Sequence, residues 1–244
     1  MVDIHCHILY GTDDGSSCLS ESVEMARIAF ESGTDKIIAT PHANAPGMDP
    51  NVWNDRLEMR LTKLNNAIKE AGIPIEIFPG QEVFCAGDIV KKRDRGEIIT
   101  LNGSRYMLVE FDFYARTQTI LDQCNTLLSE GIIPIVAHPE RYEALKENRQ
   151  TAFKLKRLGC LLQLNCGSLF GAFGRTAQRT AHIFLTENLA DFLASDAHSP
   201  YMRTPFMADS HEMVCEMYDP DYADLLFRIN PDLVLKDREI NAYY

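Results

Sequence analysis

The chain has 244 residues, 45% apolar and 24% charged, which suits one large α/β core and excludes a disordered or fibrous chain. Its formal net charge of −11 excludes a nucleic-acid binder, which needs clustered Lys and Arg, and leaves carboxylates available for cations. No run reaches the roughly 18 consecutive apolar residues of a membrane span and no basic region precedes an apolar one near the start, so a cytoplasmic location is expected.

Val2-Asp3-Ile4-His5-Cys6-His7 reads as a strand running into the turn Gly11-Thr12-Asp13-Asp14-Gly15. Alternation puts His5 and His7 on one face with Cys6 opposite. Ser20 is suited to cap a helix whose apolar face is Val23, Met25, Ala26, Ala29 and Phe30, ending at Gly33. Lys36 to Thr40 is the second strand, with Pro41-His42 at its end, and a helix from about Asn51 to Ala71 carries Leu57, Leu61, Leu64 and Ile68. The third strand, Ile75 to Phe78, leads to Gly80-Gln81-Glu82, and a short basic helix spans Asp88 to Arg95 before a turn at Asn102-Gly103. Tyr106 to Val109 ends at Glu110, a helix runs from about Thr117 to Ser129, and Ile132 to Ala137 ends at His138. Glu143 to Leu158 reads as helix, Leu161 to Leu164 as strand, Arg175 to Glu187 as helix, and Phe192 to Ala194 as the seventh strand, ending in Ser195-Asp196-Ala197-His198. Beyond Pro205 the clearest helix is Asp221 to Ile229, and the terminal Tyr243-Tyr244 reads as a frayed end. Short apolar strands alternating with helices predict a parallel sheet covered on both faces within a single domain; a barrel and a doubly wound sheet both satisfy the pattern.

Five of the seven histidines, His5, His7, His42, His138 and His198, fall at or just after a predicted strand, as do Glu82, Glu110 and Asp196. In parallel α/β folds these strand ends form the functional face, so the side chains converge on one rim. His182 and His211 fall within helices and are read as structural. Imidazole and carboxylate without thiolate suit Zn, Mn or Fe in an open catalytic site, and so many donors exceed what one ion can use. Clustered ions lower the pKa of bound water and clamp the attacking and leaving oxygens of a phosphoryl group, so metal-assisted hydrolysis is the expected chemistry. Arg141 and Arg203 lie near the same rim, and their planar guanidiniums match phosphate. Seven cysteines without a C-x-x-C pair read as reduced thiols, and none has the arginine six residues on that a cysteine phosphatase needs.

At these residues the chain resembles the polymerase and histidinol phosphatase (PHP) superfamily. It is most similar to the manganese-dependent protein tyrosine phosphatases encoded with bacterial capsular and exopolysaccharide genes. The matching segments are Asp3-Ile4-His5-Cys6-His7 with Asp13-Asp14-Gly15, Thr40-Pro41-His42, Gly80-Gln81-Glu82, and Leu101-Asn102-Gly103-Ser104-Arg105-Tyr106 leading to Glu110-Phe111. The series continues with Ala137-His138-Pro139-Glu140-Arg141, Asn165 with Gly167-Ser168-Leu169 and Phe173-Gly174, and Ser195-Asp196-Ala197-His198. One departure is that Asp112-Phe113-Tyr114 follows where the family has a proline. The resemblance implies a distorted seven-stranded (β/α) barrel of PHP type over residues 1–244 with three divalent ions, Mn first with Fe or Zn as alternatives. It assigns His5, His7, Glu82 and Asp196 to one ion, Glu82, Glu110 and His138 to a second, and Asp14, His42 and His198 to the third, with Asp13 the alternative to Asp14. Arg141 and Arg203 match the phosphate-binding arginines. A hydroxide held between metals would attack phosphorus in line, and phenolate, from a phenol of pKa about 10, would leave without a strong general acid. The implied substrate is phosphotyrosine on the tyrosine-rich tail of a bacterial tyrosine kinase that controls polysaccharide assembly. The rival readings are a small-molecule phosphatase of histidinol-phosphatase type and a non-catalytic metal-binding module.

Overall fold

The computed structural model describes residues 1–48 and 51–240; Tyr243 and Tyr244 lie outside them. Every strand pairing is parallel, in two sheets rather than the single run of seven strands expected. β1 (Val2–Cys6), β2 (Lys36–Ala39) and β4 (Glu76–Pro79) make the smaller sheet in the order β1-β2-β4. The larger has the order β3-β5-β6-β7-β8-β9, from β3 (His42–Ala43), β5 (Glu82–Phe84), β6 (Tyr106–Glu110), β7 (Ile133–Ala137), β8 (Leu161–Asn165) and β9 (Phe192–Ala194).

The two strands absent from the sequence reading arise where the chain leaves one sheet and enters the other. Thr40-Pro41 separates β2 from β3: Thr40 Oγ1 accepts from the Cys6 amide at 2.9 Å, and Pro41 has no N–H to continue a ladder. Gly80-Gln81 separates β4 from β5, and a Cβ on Gly80 would come within 2.6 Å of Ile38 Cγ2, so the chain can cross there only as glycine. Beside the end of β1, the Asp196 amide donates to the His5 carbonyl and the His7 amide to the Ala197 carbonyl, each at 2.8 Å.

Helices cover the outer faces: α1 (Leu19–Glu31) and α2 (Asp55–Glu70) over the smaller sheet, α3 (Ile89–Asp94) after β5, and α4 (Thr117–Ser129), α5 (Glu143–Lys146) and α6 (Gln150–Leu158) flanking the larger one. α7 (Cys166–Leu169) and α8 (Arg175–Thr186) follow β8. Three boundaries differ from expectation. α1 starts at Leu19, so Ser20 lies inside it rather than capping it. α2 starts at Asp55 rather than at about Asn51, capped by Asn54, whose side chain accepts from the amides of Arg56 and Leu57. The helix expected over Glu143 to Leu158 breaks at Asn148, whose Oδ1 takes the Gln150 amide at 3.0 Å and restarts the chain as α6.

Three apolar clusters hold the layers together. One lies between the larger sheet and its helices, one between the smaller sheet and α1 and α2, and one inside the strands around Ile4, Leu108, Ile135 and Phe192. A ladder irregularity between Asp3 and Cys6 sends Ile4 to the inner cluster and Cys6 to the one under α1. The C-terminal stretch is α9 (Ala208–Met217), α10 (Pro220–Asp224), a π-helical turn over Leu225–Ile229 and α11 (Asn230–Leu235), so the helix expected over Asp221 to Ile229 changes pitch midway. Its buried Leu226, Phe227 and Val234 complete the core.

Candidate metal centre

Strand ends set the positions of the polar side chains. In the β3–β5 ladder His42 pairs with Glu82, and in β5–β6 Phe84 pairs with Glu110, so neighbouring strands deliver their donors side by side. His5 and His7, Glu82, His138 and Asp196 are at most 2% exposed, Glu110 and His42 are partly buried, and Asp14 is half-exposed at the mouth. Glu82 Oε2 is the hub: His42 Nδ1 lies 3.0 Å from it, His5 Nε2 3.3 Å and His7 Nε2 3.4 Å. Its other oxygen meets His138 Nε2 at 3.0 Å, and Glu110 Oε1 is 3.6 Å from the same nitrogen. Asp196 Oδ1 lies 3.4 Å from His5 Nε2 and 3.5 Å from His7 Nε2. Asp14 Oδ1 faces His198 Nε2 at 3.5 Å and His42 Nε2 at 3.6 Å.

Proton inventory argues that these groups await cations rather than one another. His5 Nδ1 meets Gln163 Oε1 at 2.8 Å, His7 Nδ1 meets Asp13 Oδ2 at 2.7 Å, and His198 Nδ1 meets the Asp196 carbonyl at 3.0 Å. Each acceptor calls for a proton on Nδ1, which aims Nε2 into the cluster, as a lone pair whenever the ring is neutral. His5 Nε2 and His7 Nε2 then face each other at 3.2 Å, lone pair to lone pair, an arrangement that a cation between them stabilises. His42 Nδ1, although close to Glu82, is too poorly aligned to hydrogen-bond and has no partner; His138 Nδ1 has none either. Mutually close donors form three sets: His7, Asp14, His42 and His198; His5, His7 and Asp196; and His42, Glu82 and Glu110. The sets overlap the three inferred from the resemblance but differ in detail: His42 joins Glu82 and Glu110 in one set, although His42 and His138 both lie 3.0 Å from Glu82 and 3.6 Å from Glu110.

Asp13 and Asp14 are separated by geometry. Asp13 lies behind His7, its Oδ2 also accepting the His42 amide at 2.8 Å, whereas Asp14 faces the imidazoles. Gly15 permits this turn: a Cβ there would lie 2.2 Å from the His7 carbonyl oxygen.

Electrostatics follow from crowding. Burial alone would raise the Glu82 carboxyl, but the imidazoles of His5, His138 and His42 outweigh it and hold it well below its usual range. Burial and the nearby Glu82 charge push Glu110 up to about 8. Two adjacent carboxyls are thus driven apart, the pattern of a site short of positive charge. The facing His198 imidazole, with those of His7 and His42, holds the Asp14 carboxyl below its usual range.

Both arginines reach the same rim. Arg203 Nη2 contacts Asp196 Oδ2 at 2.6 Å, and Arg141 Nη1 is 3.6 Å from that oxygen. The Arg141 guanidinium lies 4.5 Å from the ring centres of both Phe113 and Phe173, and that of Arg203 lies 5.4 Å from Phe173. His138, Asp196 and Arg203 all have positive φ, backbone strain concentrated where side chains are aimed. His182 and His211 stand apart, bonded to Tyr218 and facing Asp224 respectively.

Sequence reasoning gave no role to Gln163, which orients His5, or to Asn165, whose Nδ2 donates to Asp196 Oδ2 at 2.5 Å. Phe113 appeared only as a departure from a pattern, yet it forms one wall of the Arg141 pocket. The Asn165 and Phe173 segments were the available signal, as polar and aromatic residues just past a strand end.

Parallel strands with imidazoles and carboxylates clustered at their C-terminal ends define a protein of α/β class with a candidate metal site. Residues 1–236 match the family described as capsular polysaccharide synthesis, CpsB/CapC, and the chain belongs to that family. It is 33% identical to tyrosine-protein phosphatase YwqE of Bacillus subtilis (strain 168) over 242 residues, 98% of this chain and 93% of the relative. It is similar, with a TM-score of 0.92, to a solved structure from the pair YwqE of Bacillus subtilis and CpsB of Streptococcus pneumoniae, described as unique metal-dependent tyrosine phosphatases. That match has 32% identity and covers 99% of this chain and 96% of the other. A zinc, L-histidinol and phosphate complex of the Lactococcus lactis histidinol phosphate phosphatase shares the fold at a TM-score of 0.59 and 16% identity, over 93% and 94% of the two chains.

Proposed function

We propose that this protein is a metal-dependent protein-tyrosine phosphatase acting on a bacterial tyrosine kinase that regulates capsular polysaccharide synthesis. The observation that carries this reading is the convergence of five imidazoles and four carboxylates on one rim beside two guanidiniums. Family membership supports the substrate and the capsule setting. His5, His7, Asp14, His42, Glu82, Glu110, His138, Asp196 and His198 would hold the ions, with three Mn ions as the favoured complement. Bound divalent ions supply a water of lowered pKa and positive charge for phosphoryl oxygens.

The chain's own residues do the rest. Arg141 and Arg203, fixed against Phe113 and Phe173, offer paired donors to the equatorial oxygens of a phosphoryl group. Gln163, Asp13 and the Asp196 carbonyl hold His5, His7 and His198 in one tautomer, so donors need not reorganise when charge develops. No side chain is assigned to protonate the leaving oxygen, since phenolate departs unaided.

This reading treats residues 1–244 as one domain and the two sheets as arcs of one distorted barrel, supported by the hydrogen bonds joining residues 195–197 to β1. It places the protein in the reducing cytoplasm, in keeping with seven free thiols. The test is phosphate release from a phosphotyrosine peptide beside phosphoserine and histidinol phosphate, before and after EDTA and with Mn restored. Tyrosine-selective, Mn-restored turnover lost in His138→Ala is expected; preference for histidinol phosphate, or indifference to EDTA, would defeat the reading.

A further inference from the structure

The outer face of α8 carries a feature that the metal centre does not use. A groove of about 530 Å³ runs between α8 and the start of α6, lined by Arg149, Arg175, Gln178, Arg179, His182 and Glu187 among others. In a chain of formal charge −11 this is a local inversion of sign. The groove's one carboxylate, Glu187, is held by Arg149 at 2.6 Å. Arg175 and Arg179 are both exposed, and among the described residues neither side chain has an ion pair or hydrogen bond. Two unpartnered guanidiniums one helical turn apart face the groove, in a protein whose acidic residues outnumber its basic ones by 35 to 24.

The groove's position ties it to the phosphoryl site. Arg175 opens α8 two residues after Phe173, whose ring is 4.5 Å from the Arg141 guanidinium and 5.4 Å from that of Arg203. α8 also packs against the Pro139–Arg141 turn. Two residues of chain span at most about 7 Å, and Arg179 lies about 6 Å further along the helix axis. An extended peptide advances about 3.3 Å per residue, so a segment leaving the phosphoryl site along α8 meets these arginines about three to six residues from its phosphotyrosine. The helix is a firm platform, its opposite face buried through Ala177, Ala181, Phe184 and Leu185.

We infer that the α8 groove binds an acidic stretch of the substrate polypeptide flanking the phosphotyrosine, which makes Arg175 and Arg179 specificity determinants. The inference rests on the phosphatase reading and extends it from the phosphoryl group to its sequence context. The groove's guanidiniums favour carboxylates on the substrate against the repulsion of the protein's overall negative charge.

The test uses the full, Mn-loaded chain and three substrates: p-nitrophenyl phosphate, a phosphotyrosine peptide flanked by Asp and Glu at positions three to six, and the same peptide with Ala there. The wild type is expected to show a KM about fivefold lower for the acidic peptide than for the Ala peptide, shrinking as salt rises, with similar kcat. Arg175→Gln/Arg179→Gln is expected to erase that difference while leaving turnover of p-nitrophenyl phosphate unchanged. Loss on all three substrates would reveal a structural role and overturn the inference, as would equal KM values for the two peptides in the wild type. Retention of the acidic preference by the double variant would overturn it too. Wild-type failure on both peptides with p-nitrophenyl phosphate still hydrolysed would bring down the phosphotyrosine reading and this inference with it, whereas normal peptide turnover without charge discrimination brings down the inference alone.

Discussion

Phe173 is not among the proposed metal ligands, yet Arg141 and Arg203, the two arginines proposed to bind phosphate, both lean on its ring. A guanidinium so stacked gives up little freedom when it grips an anion, and each contact is worth about 0.5–2 kcal/mol. Phe173→Leu is therefore expected to raise KM for a phosphotyrosine peptide about fivefold with a smaller change in kcat, and Phe173→Tyr to restore it; equal kinetics for all three would remove the stack from substrate binding. Glu140 presents a different residue-scale problem. One of its oxygens takes the Asn165 amide at 3.0 Å and the Ser168 hydroxyl at 2.5 Å, the other has no partner, and burial pushes the carboxyl up to about 7. Since its folded value exceeds its ordinary one of 4.5, the folded state binds this proton more tightly. Stability is then full below about pH 4.5 and declines as pH rises to about 7, by about 3 kcal/mol in all. Glu140→Gln keeps the accepting oxygen and lacks the ionisation, so urea unfolding at pH 5 and pH 8 should show wild type losing ground to the variant; parallel curves would contradict this. Such residues explain the limits of sequence reading. His5, His42, Glu82 and Asp196 announce themselves by standing at strand ends, but Gln163 and Asp13 matter only through a neighbour that register and turn geometry choose.

At the scale of elements, periodicity carried most of the fold because apolar runs and helical faces are local properties. The parallel strands and outer helices were legible for that reason, with long segments such as α2 and α4 misplaced by a few residues at most. β3 and β5 were not, because strands of two and three residues have no period to detect and exist only through their neighbours' ladders. The break at Asn148 was hidden similarly, an asparagine inside a good helical pattern that acts as a cap once α6 is pinned. That pin is Lys156, buried on α6, whose ammonium reaches the Asp191 carboxylate as it also accepts the Leu162 amide at 2.8 Å. Three elements, α6, β8 and the segment leading to β9, thus share one carboxylate. Burial raises the Asp191 carboxyl while Lys156 opposes it, so removing the lysine strands a charge. Lys156→Met should cost about 3–5 kcal/mol in denaturant unfolding, and adding Asp191→Asn should recover part of the loss. A loss below about 1 kcal/mol in the single variant would show that water replaces the ammonium.

Across the whole molecule, the architecture concentrates its least favourable charges in one place. Two sheets bring imidazoles and carboxylates to a single rim with their protons directed outward, so the folded chain alone leaves Glu82 and Glu110 competing for charge and the His5 and His7 nitrogens opposed at 3.2 Å. Every one of those conflicts eases when cations enter, and each is weaker in the unfolded chain, where water hydrates the donors and the segments carrying His5, Glu82, Glu110 and Asp196 are not brought together. Metal binding must therefore stabilise the fold as well as equip it, by RT ln(1 + [metal]/Kd) for each site that the unfolded chain lacks. At free Mn a hundredfold above Kd, one site contributes about 2.7 kcal/mol, which corresponds to a rise in Tm of about 5–10 °C for a chain of this size. Calorimetry of the EDTA-treated chain against increasing Mn should show Tm climbing with the logarithm of free metal once the site is saturated, and Glu82→Gln should flatten that climb because it removes the charge of the shared hub. A Tm indifferent to EDTA and Mn would mean that the cluster is balanced by its own protons, since an ion held by these side chains has no means of leaving stability untouched.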